Sequence, residues 1–150
     1  MTAFFAFLHH LAAFALVAAL AIELVLIRDA LTVASARKIV RADMVFGLSS
    51  GAVLVIGLLR VFHFEKGAAY YFHSAPFLGK LTLFALVGLL SIYPTREFLS
   101  WRAALRQGQV PLVDPGKLRT LRSLIHWELA GVALILLLAA LMARGIGYFG

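Results

Sequence analysis

The sequence contains no cysteine and only three methionines, the initiator included. Without thiolates there is no disulfide, no iron–sulfur cluster, no thiolate-ligated haem and no thiolate-built zinc site. Soft-metal chemistry therefore falls to five histidines. Charge is scarce as well: Asp, Glu, Lys and Arg make up 14% of the chain, against about a quarter in soluble domains. Hydrophobic residues make up 63%. A chain of 150 residues with that balance has lipid as its main solvent, and four spans of roughly 20 residues each take more than half of it. No room remains for a soluble catalytic domain, and no P-loop, Gly-rich dinucleotide motif, nucleophile elbow, internal repeat or low-complexity segment is found. Acids are fewer than bases, seven against 14, for a formal charge of +7. In so apolar a chain that surplus reads as basic loops meeting anionic headgroups, not as a nucleic-acid interface.

What is present is a set of long apolar runs, which predict an all-α, up-down, four-helix membrane bundle in one domain spanning residues 1–150. The first span, residues 3–27, is interrupted only by His9, His10 and Glu23. Nothing basic precedes His9 and Arg28 follows the run, the reverse of a secretory signal, so the first helix is expected to stay in the mature protein. The second span, 44–62, carries Gly47 and Gly51 as a small-xxx-small pair suited to close helix approach. The third, 76–93, is expected to open on Pro76 and stop before Pro94. The fourth covers 118–143, with Gly145 and Gly147 after it.

Loop charge sets the orientation. Arg28, Arg37, Lys38 and Arg41 flank the first loop, and Arg96, Arg102, Arg106, Lys117, Arg119 and Arg122 flank the third; together these are ten of the 14 basic residues. The positive-inside rule puts both loops in the cytoplasm and both termini outside. The middle loop, RVFHFEKGAAYYFHSAPF, is crowded with aromatics and is expected at the headgroup level.

Polar side chains within spanning helices cost a few kcal/mol each, about 2.5–3.5 for a central charge on insertion scales, so each needs a partner or a task. They sort into two layers. The outer one holds His9, His10, Arg60, His63, His73 and Lys80; the inner one holds Glu23, Arg28, Asp43, Arg122, His126 and Glu128. At 100° per residue His9 and Glu23 return to nearly the same helix face, so His9, Ala13, Leu16, Leu20 and Glu23 can share a seam. The inner layer is expected to form ion pairs, Glu23 or Glu128 with Arg28, Arg41 or Arg122, that pin helix ends. Arg122 and His126, four apart, can also meet an anionic group such as a lipid phosphate or a porphyrin propionate. In the outer layer the bland role is that of interface residues. The sharper one is a haem b site, with imidazole on the iron and Arg60 and Lys80 against the propionates. Converging His9, His10, His63 and His73 can equally hold copper or zinc.

The segments FLHHLAAFALVAALAIELVLIRD, FHSAPFLGKLTLFALVGLLSIYPT and HWELAGVALILLLAALMARG together resemble DUF2214, a family of uncharacterised bacterial membrane proteins, over nearly the whole chain. This points to the bacterial inner membrane. More distantly, an early His in the first helix and a Lys followed by Leu-Thr-Leu-Phe early in the third are similar to HemJ-type protoporphyrinogen oxidases and CopD-type copper proteins. That resemblance implies a small bundle binding haem b, with His9 or His10 at the ligand position, Lys80 at the matching Lys and Glu128 at an acid opening the last helix. The chain departs from it in having two adjacent His and in adding His63, His73 and His126.

Three functions follow as expectations. The first is a haem b protein with a redox or electron-transfer role toward a quinone, a porphyrinogen or an external donor. The second is a metal-handling protein with copper at the outer histidines and Glu23, His126 and Glu128 lining an exit; the shortage of Met weighs against cuprous ions. The third is an accessory subunit, joining a larger membrane complex or a second copy of itself through the small-residue face of 44–62.

Overall fold

The computed structural model describes residues 1–150, and four of its helices are long and apolar enough to cross a membrane. Helix α1 is Thr2–Leu26 and α2 is Val33–Leu59, continued by a π-helical turn at Arg60–Phe64. A short α3, Ala68–Phe72, leads into α4, Ala75–Ser100; α5, Arg102–Arg106, leads into α6, Pro115–Ala143. The first and last spans start within about one turn of the sequence-based bounds. The middle two differ.

Helix α2 starts eleven residues before the apolar run at Met44, because Thr32 and Ser35 form a reciprocal capping box on its first turn. The added turns carry exposed Arg37, Lys38 and Arg41, so hydropathy marks where α2 meets apolar surroundings and the cap marks where it begins. Helix α4 runs straight through Pro94 instead of stopping before it. Pro94 is fully buried, and the packing around it holds the helix despite the missing N–H. Asp114 caps α6, its Oδ2 accepting from the Gly116 and Lys117 amides at 2.9 and 3.3 Å, with Pro115 at the first helical position.

The helices alternate in direction, α1 packing along α2 and α4 along α6. Helix α6 closes on α1, while α2 and α4 touch most sparsely. In the tight α4–α6 pair a Cβ on Gly131 would stand 2.6 Å from Val87 Cγ2, so only glycine permits that approach. Both termini lie at one end of the bundle, the terminal end; the basic loops lie at the other, the basic end. The main core gathers toward the basic end, where Leu20, Ile39, Phe98, Leu121 and Ile125 are wholly buried. At the terminal end a small cluster, Val61, Tyr71 and Phe77, sits under the loop. The chain's last residues return over it: Ala75 N donates to Gly147 O, and Phe149 N to His73 O, both at 3.0 Å. Tyr70 stacks on Tyr148 with centroids 4.8 Å apart.

Candidate functional site

Between all four long helices a crevice runs toward the terminal end. Its upper part, about 160 Å³, is walled mostly by aliphatic side chains but also by His9, Gly57, Arg60, Glu65, Tyr71 and Lys80. A deeper part of about 360 Å³ includes Gly47, Ser50, Ser91 and Thr95. Both parts touch Ala13, Val53, Phe84, Ile135 and Leu136, which makes them neighbouring compartments of one crevice.

His9 is half-buried on the crevice wall, and its Nδ1 is buried with no hydrogen-bond partner. Its ring rests on Gly57: a Cβ there would stand 3.2 Å from His9 Cε1 and 3.6 Å from Nδ1. Lys80 faces the same space one turn into α4, with Nζ 5.4 Å from the Phe77 centroid. Arg60 belongs to the π-helical turn and is bound to Glu65, which also accepts from the Tyr71 hydroxyl. Arg60–Glu65 and Lys117–Glu97 are the chain's two ion pairs, so Lys80 makes no direct ion pair, and Glu65 on the same wall is the nearest acid to act on it. Burial disfavours charge on Glu65, but the Tyr71 hydroxyl and the Arg60 guanidinium outweigh it and hold its carboxyl below the ordinary value. Burial, reinforced by the same contact, pushes the Tyr71 phenol up.

The other histidines do not join this group. His10 is exposed, its Nδ1 donating to Ala6 O at 2.6 Å. His73 is exposed and donates from Nδ1 to Ala69 O at 2.7 Å. His63 is exposed on the π-helical turn, and His126 is exposed on α6 toward the basic end. No group of three or more His, Asp or Glu side chains is placed to hold a metal ion. The expected four-histidine copper site is therefore corrected: consecutive residues on a helix point about 100° apart, so His9 and His10 cannot both face inward, and His63 and His73 turn outward on the loop.

The expected inner ion pairs are corrected too. Arg122 donates to the carbonyls of Ile27 and Arg28 at 2.8 and 3.1 Å, satisfying backbone acceptors that the end of α1 leaves open. Arg28 is exposed, and neither Glu23 nor Glu128 has a basic partner. Arg122 is thus engaged through Nε and Nη2, and His126 is exposed on the same helix. The small-residue face of α2 is divided in use. Gly57 seats His9, whereas Gly47 and Gly51 have nothing within 4 Å of an added Cβ and support no close helix contact within the chain.

Sequence reasoning missed Glu65 and Tyr71, because the loop's aromatic content overshadowed its single acid. Arg60 and Glu65 are five residues apart, the i→i+5 spacing of a π turn, and that spacing was the available signal.

A family model described as a predicted membrane protein, DUF2214, matches residues 1–147. The chain belongs to this family. Neither the curated proteins nor the solved structures yield a match. Family membership and the four apolar helices together make this a membrane protein in contact with lipid.

Proposed function

We propose that this member of DUF2214 is a membrane-embedded haem b-binding protein with a redox role, using the crevice at the terminal end as its cofactor site. The reading rests on one observation: an imidazole whose buried Nδ1 has no protein partner lines an apolar crevice beside a lysine that makes no direct ion pair. Buried polar atoms in native proteins are almost always paired, so an orphan beside a cavity marks a place for a ligand. The two crevice compartments together reach the size range of small-molecule sites, about 300–1,000 Å³. Bound haem would supply one-electron chemistry. His9 would hold it through a single imidazole, Lys80 would neutralise a propionate, and Arg60, already matched by Glu65, would orient the other. The crevice would offer the haem one histidine, since His10, His63 and His73 lie outside it.

A quinone in the same crevice is the second reading, favoured by the apolar walls and by the Lys80 ammonium as a donor to a carbonyl. The reduced-minus-oxidised spectrum of detergent-purified protein, expressed with ample haem and checked by pyridine haemochrome, separates the two. The haem reading expects near-stoichiometric haem b that is lost in His9→Ala and kept in His10→Ala. A folded, colourless protein overturns it; quinone in the lipid extract would then favour the second reading, and a co-purifying membrane protein the accessory-subunit role.

A further inference from the structure

Near the basic end, three helices each turn one acid inward: Glu23 from α1, Asp43 from α2 and Glu128 from α6. Glu23 and Glu128 are each 1% exposed and Asp43 is 7% exposed. Asp43 acts electrostatically on both glutamates, and Glu128 acts on Glu23. Asp43 Oδ1 accepts from the Thr95 hydroxyl of α4 at 2.8 Å. The Oε1 atoms of Glu23 and Glu128 are buried and accept from nothing. Nearby cations are engaged elsewhere, Arg122 with the Ile27 and Arg28 carbonyls and Arg37 with the Leu105 carbonyl. Arg102 on α5 acts on Asp43 without forming an ion pair.

Carboxylates sealed from water without counter-charge are among the costliest groups a fold can hold, and like charges turned toward one core add to the cost. A metal ion would need several acids converging on one point, and that arrangement is absent. A proton needs no cage: it neutralises a single carboxylate and turns that acceptor-only group into a donor. We propose that Glu23, Asp43 and Glu128 form an intramembrane proton-binding site, in which bound protons take the place of counter-ions and Thr95 links the site to the crevice.

Thr95 gives the site its access, for it lines the deeper compartment with Ser50 and Ser91 while donating to Asp43. A proton arriving there is taken up on a carboxylate oxygen and leaves from the same group, with no other bond made or broken. Fourteen residues of α1 separate Glu23 from His9, about 21 Å at 1.5 Å per residue, so this site is distinct from the upper crevice and does not depend on what that crevice holds.

Infrared spectroscopy of the full chain in nanodiscs, in H2O and in D2O, tests the proposal. The expected spectrum has a protonated-carboxyl C=O band that shifts in D2O and loses amplitude in Glu23→Gln and in Glu128→Gln. In Thr95→Val the band is expected to persist while its D2O shift slows. A wild-type spectrum without that band overturns the proposal whatever the variants do, and so does a band unchanged in both glutamine variants. Loss of the band on adding sodium or calcium ions assigns the carboxyls to a cation and overturns it as well. Exchange in Thr95→Val at the wild-type rate removes the link to the crevice.

Discussion

At the basic end, Leu20, Ile39, Phe98, Leu121 and Ile125 close on one another with no surface exposed, whereas the terminal end has a three-residue cluster beside an open crevice. Polar groups divide the opposite way. Around the crevice, Arg60, Glu65 and Tyr71 satisfy one another at the loop. In the tightly packed end, Glu23 and Glu128 are sealed without a partner. The end built for rigidity thus holds the costliest groups, and the hollow end holds compensated ones plus His9 and Lys80. Dry, close packing makes an ionised acid costly and so favours its neutral form, while a ligand site needs packing left incomplete.

The largest test of this contrast is a pair of truncations. Phe98→Ala removes a wholly buried ring from the packed end and should cost about 3–5 kcal/mol. Phe84→Ala, on the crevice wall, enlarges space that already exists and should cost less than about half of that. Thermal unfolding of both variants in one detergent measures the difference, and equal losses would mean that the two ends are packed alike.

Glu65 gives a smaller effect that depends on pH. Its carboxyl titrates below the ordinary value of 4.5 in the folded chain, so the stability it contributes is complete above pH 4.5 and is lost as pH falls through the lowered folded value. Glu65→Gln should therefore cost up to about 2 kcal/mol at neutral pH, allowing for partial exposure. The gap in Tm between variant and wild type should narrow as the pH drops below 4.5. A gap constant with pH would show that the Arg60–Glu65–Tyr71 group stabilises the loop by shape and not by charge.

These contrasts were unequally legible in the sequence. The four helices and their up-down order followed from apolar run length, because lipid leaves the backbone few alternatives to a helix. The seam His9, Ala13, Leu16, Leu20, Glu23 followed from helical period alone, and its last three members are buried. The early start of α2 was hidden because a cap is a local hydrogen-bond event that hydropathy does not register. Continuation of α4 through Pro94 was hidden because tertiary packing overrode a local preference. The contact of Glu65 with Tyr71, and the inward turn of Glu23, Asp43 and Glu128 from three helices, depend on how elements are placed, which residue spacing along one chain does not encode.

The smallest expected effect separates two glycines on α2. At Gly51 nothing lies within 4 Å of an added Cβ, so Gly51→Ala should leave Tm unchanged or raise it slightly, by less than about 1 kcal/mol of helix propensity. At Gly57 the new methyl would stand 3.2 Å from His9 Cε1, tighter than ordinary contact, and the imidazole must give way. Gly57→Ala should cost no more than about 1 kcal/mol, because a half-buried ring beside a cavity has somewhere to go. Its signature is positional: in a His10→Gln background, His9 should react faster with diethylpyrocarbonate in Gly57→Ala than in Gly51→Ala. Equal rates would mean that the crevice holds His9 in place without the glycine, and that the hollow end is more rigid than its missing packing implies.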